Sequence, residues 1–527
     1  MIDNSAWARF QASLFADPAG GLMLDLHGMD LSDAVQTEMG PMLDAALDDM
    51  AQLEAGAIAN PDEGRMVGHY WLRAPALAPT AALRQEIEDC LSAVKRFAAE
   101  VHEGRVRAPG GKPYKNVLVA GIGGSSLGPL FVDQALRGPG DRLRLWFLDN
   151  TDPDGMDAVF RDLGDSLGET LTVVISKSGG TIETRNCLEE ARAAYAAAGL
   201  DFCRNAVCVS GEGSRLWQRA EAEGWLRRFP MWDWVGGRTS VMSAVGLVPL
   251  ALKGVDVDAF LRGAADCDAL GRSRELWHNP AALLALSWYR CTGGRGGQTM
   301  VVLPYRDSLS LFAKYLQQLV MESLGKELDK DGNTVKQGLA VLGNKGSSDQ
   351  HSYVQQLVGG PDNVFVVFVQ VLKDRLGPSP VVGEDSTSGD YLNAFLLGTQ
   401  KALASHGKRS LTITVPTVDA YRVGQLIALF ERAVGLYASM VRINAYHQPA
   451  VEFGKKAADG LIRLKNALLA ALPSFGEGMD APALAEAAGG EAADVFRLLL
   501  HLSANGQAKM EPRQPVTESR FWRVSSK

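Results

Sequence analysis

The chain has 527 residues, too many for one hydrophobic core, so two or more packed units are expected. Apolar residues at 46% and charged residues at 22% are ordinary globular values and argue against disorder outside the termini. The formal net charge of −8 gives no support for a basic nucleic-acid face, but small anions stay open, because backbone N–H groups and a few local cations can hold them.

In chain order, residues 1–20 carry Asp3 and Asp17 and no basic stretch ahead of an apolar one. They read as neither a signal nor a transit peptide, and a cytoplasmic protein is expected. Residues 1–85 look mainly helical. The segment PMLDAALDDM at 41–50 has helical apolar spacing with Pro41 suited to a helix start. A longer amphipathic stretch over 80–101 is followed by the breaker Ala108-Pro109-Gly110-Gly111. The texture then changes. Short apolar runs at 116–120, 142–148, 171–175 and 206–209 end in Gly121, Asp149, Ser176 and Ser210-Gly211, with helical segments between them. Buried short strands alternating with helices predict a parallel sheet covered on both faces.

The pattern restarts after Gly293-Gly294-Arg295-Gly296-Gly297, with strands predicted at 299–303, 363–372 and 410–415 and helices over 308–324 and 419–439. The expected class is α/β, with two tandem units over 86–292 and 293–465. A helical segment over 1–85 would precede them and an appendage over 466–527 would follow. The glycine cluster could instead be a surface turn inside one large unit. The tail reads as two short helices (482–489 and 495–505) and a hairpin of 508–510 with 521–524. That is a winged-helix outline, but its charges balance, so a packing or capping appendage is expected rather than a DNA reader. No apolar run is long enough to span a bilayer. Cys90, Cys187, Cys203, Cys208, Cys267 and Cys291 form no C-x-x-C pair and read as buried free thiols in a reducing compartment, with a disulfide as the lesser alternative.

Two turns could hold a phosphate. Gly121-Ile122-Gly123-Gly124-Ser125-Ser126-Leu127-Gly128-Pro129 follows a strand and opens a helix. Its glycines would let an anion approach free N–H groups. Ser126 stands where a dinucleotide fingerprint needs a third glycine. A tight turn with no ligand is the alternative. Ser176-Lys177-Ser178-Gly179-Gly180-Thr181 offers three hydroxyls, free N–H groups and a cation, which suit a phosphate monoester. A helix cap would need only one of those hydroxyls. No Walker A pattern implies a triphosphate. Gly236-Gly237-Arg238 could aim a guanidinium at a ligand oxygen or form a structural ion pair. Glu322 is a candidate carboxylate base. His351, Gln448 and Lys455, each taken alone, read as structural. The eight histidines show no metal-ligand spacing, and no G-x-S-x-G elbow occurs.

Taken together, GIGGSSLGP, SKSGGTIET, GGRTSVMSAVG, MESLGKE, GNKGSSDQHSY and NAYHQPAVEFGKK resemble, in order and spacing, the glucose-6-phosphate isomerase family in its bacterial and plant-plastid branch. The resemblance runs from about His69 to Lys456. It implies two sugar-isomerase (SIS-type) domains, a homodimer, and no metal or organic cofactor. The reaction it implies is reversible isomerisation of D-glucose 6-phosphate to D-fructose 6-phosphate through a cis-enediol. By motif position, Glu322 would move the proton and Arg238 would stabilise the enediolate. His351, reaching over from the partner subunit, and Lys455 would open the ring. Ser125, Ser176, Ser178 and Thr181 would hold the phosphate, with Gly124 and Lys177 on the same binding surface. Gly237, Gln448 and His69 would line the sugar. One departure stands out: the animal-type loop reads S-K-T-F-T-T, and Gly180 here has no hydroxyl, so a backbone N–H would have to serve. A non-catalytic sugar-phosphate sensor and an isomerase of a related hexose phosphate or amino sugar are the other readings. Ile2, where an amino-sugar synthase needs a glutaminase cysteine, weakens the last.

Overall fold

The computed structural model describes residues 4–17, 21–474 and 476–524, without the side chains of 4–6, 452, 453, 455 and 456. The residues up to His447 form one compact unit and those from Gln448 form another.

Five parallel strands build the first sheet, in the spatial order Arg144–Leu148, Asn116–Ala120, Thr170–Ser176, Ala206–Ser210 and Arg227–Pro230. Its strands are apolar on both faces because both faces are covered. Val117 and Val119 join the main core, whereas Leu118 and Ala120 pack on the opposite face with Val174, Leu188 and Tyr195. From Asn116–Ala120 the chain crosses to one side of the sheet, and from Thr170–Ser176 to the other. The crevice beyond the carboxyl ends of these two neighbouring strands is therefore a topological switch point, where open α/β sheets bind ligands.

The second sheet has six strands. Val341–Leu342, Thr299–Pro304, Val364–Val371 and Ser410–Val415 run parallel. Met23–Asp25 then pairs antiparallel with Ser410–Val415, and Leu14–Ala16 pairs with Met23–Asp25. The N-terminal segment is thus helical with two strands added, and it completes an edge of the distant sheet. Helix Ala420–Met440 is buried along nearly its whole length in the main core.

Other differences are local. Pro41 lies inside helix Asp33–Glu54 rather than at its start. Helix Ala81–His102 begins where expected, with Thr80 accepting from the Leu83 N–H through its side chain at 3.2 Å. The helix expected over 308–324 is broken into a short turn, an α segment Phe312–Leu316 and a π-helical turn Gln317–Glu322. All six cysteines are free thiols, and all but Cys203 are buried. Among the described residues no helix is long and apolar enough to cross a membrane.

The second unit comprises helices Pro449–Ala471, Ala481–Ala488 and Ala492–Ala504 and an antiparallel hairpin of Ala508–Glu511 with Arg520–Arg523. It begins earlier than residue 466 because the long helix supplies Leu468, and the residue just after it, Leu472, joins the same core with Leu484, Val495, Leu499 and Phe521.

Candidate active site

The two predicted turns stand at the switch point. Strand Asn116–Ala120 feeds the loop at Gly121, which tightens into a 3-10 turn over Gly123–Ser125 before helix Leu127–Ala135. Strand Thr170–Ser176 feeds the turn at 176–181 before helix Ile182–Ala197. Gly179 has φ +65°, and a Cβ there would stand 2.5 Å from the Leu216 nitrogen, so only glycine fits this packing. Gly124 is constrained differently. A Cβ on it would fall 1.9 Å from the Gly237 carbonyl oxygen, so the first loop and the Gly-Gly-Arg segment touch backbone to backbone. Ser240 fastens this contact by donating to the Gly237 carbonyl at 2.7 Å.

Between these segments lies a cavity of about 300 Å³. Gly124, Ser125, Ser176, Lys177, Ser178, Thr181 and Gly237, all singled out from the sequence, line it. The Ser176 hydroxyl donates to Thr181 Oγ1 at 3.3 Å, and the Gly180 N–H donates to Ser178 Oγ at 3.1 Å. The N–H that would replace the missing hydroxyl therefore donates to Ser178 Oγ. Ser178 keeps its own proton to donate.

Lys177 plays a second part. Its ammonium donates to the carbonyls of Asp233 at 2.8 Å and Val235 at 3.0 Å, which ties the phosphate turn to the chain entering Gly236-Gly237-Arg238. Burial, with Arg65 nearby, pulls its pKa down to about 8 against the opposing pull of Asp233.

Arg238 and Glu322 meet across 84 residues. Arg238 Nε donates to Glu322 Oε2 at 3.1 Å, and its Nη1 donates to the carbonyl of Ala445 at 2.7 Å and to that of Glu322 at 3.3 Å. The Arg238 side chain is 5% exposed, whereas that of Glu322 is 26% exposed. The guanidinium is thus a buried, fixed support and the carboxylate remains reachable. Burial depresses the Arg238 pKa, and Glu322 partly restores it. Glu322 closes the π-helical turn, a wide turn often found at functional sites.

Three contributors escaped the sequence reading. Lys326 donates to the Glu322 carbonyl at 2.7 Å. Burial and Arg238 bring its pKa down to about 7, with Glu322 opposing. The amide nitrogen of Gln318 stands 3.2 Å from where a Cβ on Gly123 would be, and so faces the first loop. Arg65 also lines the cavity. The spacing Gln318, Glu322, Lys326 was the available signal, because residues four apart share a helix face.

His351 is exposed on the turn Ser348–His351 and does not line the cavity. His69 is not on the cavity wall either. It is 1% exposed and packs against Tyr70, and neither of its ring nitrogens has a hydrogen-bond partner among the described residues. Burial, then Arg73, lowers its pKa well below the usual value. Gln448 directly precedes helix Pro449–Ala471 in the second unit; Lys455 is on that helix, and its side chain lies outside the described residues.

Comparison with known proteins agrees with this geometry. The family model described as phosphoglucose isomerase matches residues 42–405. A curated glucose-6-phosphate isomerase of Geobacter sulfurreducens is 58% identical over 526 residues, covering 99% of each chain, so the likeness continues through the tail. One from Synechococcus elongatus is 54% identical over 507 residues, covering 96% of each. The crystal structure of a glucose-6-phosphate isomerase from Chlamydia trachomatis superposes with a TM-score of 0.77 at 26% identity, covering 86% of this chain and 90% of that one. With the family model spanning most of the first unit and full-length relatives above half identity, the chain belongs to the phosphoglucose isomerase family.

Proposed function

We propose that this chain interconverts D-glucose 6-phosphate and D-fructose 6-phosphate, in glycolysis and gluconeogenesis, with Glu322 as the proton-transferring base. The observation that carries this reading is the Arg238–Glu322 pair, a half-open carboxylate on a buried guanidinium next to the cavity wall at Gly237. Once the ring is open, the carboxylate takes the proton from C2 of the aldose. The C1 carbonyl oxygen gains a proton as the O2 hydroxyl loses one, and Glu322 returns its proton to C1. Arg238 stands where charge develops on the enediolate oxygens. The phosphate, on the 176–181 turn and at Ser125, is remote from the reacting carbons, so its binding energy can be spent on orientation. Proton transfer needs no redox group, and the reading includes no metal or organic cofactor.

Ring opening falls to His351 and Lys455. The reading takes His351 from the partner subunit of a cytoplasmic homodimer. What supports it is the build of the His351 turn. Asp349 is buried and accepts from the Lys345 N–H at 2.9 Å and the Tyr353 hydroxyl at 2.6 Å, so the turn is braced while His351 points outward. Exposed Leu376, Val381, Val382 and Phe395 further along offer apolar area for association. The stretches 86–292 and 293–447, the second cut back from 465 because residues from Gln448 belong to the tail unit, are read as the two sugar-isomerase units, supplying the phosphate turns and the base respectively.

A coupled assay tests the activity. Fructose 6-phosphate is supplied and the glucose 6-phosphate formed is read by an NADP-linked dehydrogenase. Sustained turnover is expected, and a folded protein that gives none would overturn the reading.

Lys326 adds a pH dependence. It is charged below about 7 and neutral above. Its charge, close to Arg238 and Glu322, favours the enediolate, so kcat/KM should fall as pH rises through about 7, by roughly 5- to 30-fold on a Coulomb estimate at an effective dielectric near 20. Lys326→Met should erase that step and Lys326→Arg should keep the rate up on the alkaline side. Wild-type and Met profiles of the same shape would clear Lys326 of this role. Because its folded pKa is below the ordinary lysine value, its folding penalty is present below about 7 and is relieved as pH climbs toward the unfolded value.

A further inference from the structure

The turn that lines the substrate cavity also walls a second one. A cavity of about 200 Å³ on its other side is lined by Arg185, Arg215 and Arg219, with Thr181, Thr184 and Leu216, and no carboxylate is among its described lining residues. Of the two, Gly179 and Gly180 border this cavity and not the first, Ser125, Lys177, Ser178 and Gly237 border the first and not this one, and Ser176, Thr181 and Thr184 border both. The 176–181 turn is therefore a partition between the two.

The charge in the second cavity is unbalanced. Arg219 is paired, at 2.5 Å with Glu189 and 3.0 Å with Glu223. Arg185 and Arg215 have no ion pair or side-chain hydrogen bond among the described residues. Arg185 and Arg215, both exposed, thus line one concave site without counter-ions among the described residues, in a chain of net charge −8. The floor is apolar, with Val174, Leu188 and Leu216 all buried, and the Thr184 side chain is buried beside it. Gly180 bears on the same point. A Cβ there would meet nothing nearer than Ser178 Oγ at 3.7 Å, so packing does not demand glycine, yet its bareness keeps the cavity open.

We propose that this cavity is a second anion site for a phosphate group, held by the Arg185 and Arg215 forks and separate from the position of the substrate phosphate. The proposal rests on the isomerase reading only in taking the first cavity as the substrate's. Two dianions on opposite faces of one turn repel, so occupancy of the arginine site should weaken substrate binding, and substrate should weaken occupancy by the same factor.

Calorimetric titration of the full-length protein with inorganic phosphate tests this, with and without saturating hexitol 6-phosphate, an unreactive open-chain mimic of the substrate. With the substrate cavity filled, one phosphate per chain should still bind. Arg185→Gln/Arg215→Gln should weaken that residual binding by about tenfold or more, the scale of losing charge-assisted hydrogen bonds, while kcat at low phosphate stays at the wild-type value. A parallel titration with glycerol 3-phosphate separates a site for phosphorylated metabolites, which would bind, from one for free phosphate, which would exclude the ester. Complete displacement of phosphate by the hexitol phosphate, or residual binding untouched in the double variant, would overturn the proposal. Failure of the hexitol phosphate itself to bind would count against the isomerase reading, and the wild-type-minus-variant difference in phosphate binding would still report on the arginine site.

Discussion

Glu322→Gln is expected to lower kcat by about 10²–10⁴-fold, the usual contribution of a positioned general base, while binding of hexitol 6-phosphate is retained. The amide keeps the shape of the side chain and an oxygen that can accept from Arg238 Nε, now 3.1 Å from the carboxylate. Arg238 also keeps the Ala445 carbonyl at 2.7 Å, so the guanidinium has a reason to stay in place. The phosphate contacts at Ser125 and the 176–181 turn are on other elements and are untouched. What the variant loses is the capacity to hold a proton between C2 and C1. A loss in kcat with little change in ligand affinity is the signature of an interaction made only in the transition state. Near-normal turnover would remove Glu322 as the base, and loss of ligand binding would mean that the Arg238–Glu322 pair shapes the cavity instead.

The parts of this site that the sequence makes visible share a physical cause. Strands Asn116–Ala120 and Thr170–Ser176 are buried on both faces, so each shows an unbroken apolar run, and the Gly/Ser turn that follows marks its carboxyl end. The two phosphate turns could therefore be placed from local pattern alone. Strand Arg227–Pro230 could not. It is the sheet's edge, it opens on two arginines and closes on proline, and no periodicity announces it. Leu14–Ala16 and Met23–Asp25 are three residues each, and they are strands only because Ser410–Val415 offers a free edge. Pairing of that range is not written in either segment.

Within the site, the Arg238–Glu322 contact was reached by resemblance rather than by spacing, since 84 residues separate the partners. The motif presents Lys177 as a phosphate cation, yet its ammonium donates to two backbone carbonyls, a use that composition cannot reveal. His69 shows the reverse problem. A histidine in a motif suggests a ligand contact, and here it is 1% exposed against Tyr70, outside the cavity wall.

His69 belongs to the surroundings of a buried charge network from which the second large effect follows. Asp268→Asn should destabilise the protein by about 3–5 kcal/mol, the cost of leaving buried charge uncompensated, whereas Glu431→Gln should cost little. Asp268 accepts from Arg73 Nε at 2.6 Å and from Arg432 Nε at 2.9 Å, with no exposure of the Asp268 and Arg73 side chains. Arg432 also reaches Glu54, which Arg272 holds at 3.0 Å, and both Arg73 and Arg432 lie over the Tyr70 ring at 5.0 and 4.5 Å. The network thereby ties helix Asp33–Glu54 and the turn His69–Leu72 to helices Val257–Leu270 and Ala420–Met440. Burial alone would raise the Asp268 pKa, but Arg432 and Arg73 hold it at about 2, so its charge is present throughout the usable range. Among the described residues Glu431 pairs with one arginine, Arg73, and its Oε1 has no hydrogen-bond partner. Burial pushes its pKa up to about 7 despite Arg73. A carboxyl whose folded pKa is raised contributes stability that is fully present below its unfolded value near 4.3 and is lost as pH rises through about 7. Urea midpoints at pH 5 and pH 8, at one protein concentration, separate the two residues. Asp268→Asn should be destabilised equally at both. Glu431→Gln should match the wild type or fall slightly below it at pH 5 and exceed it at pH 8, because the amide never has to carry the buried charge. A small Asp268→Asn effect, or a Glu431→Gln difference that does not move with pH, would mean that water or local relaxation, rather than the arginines, balances this interior.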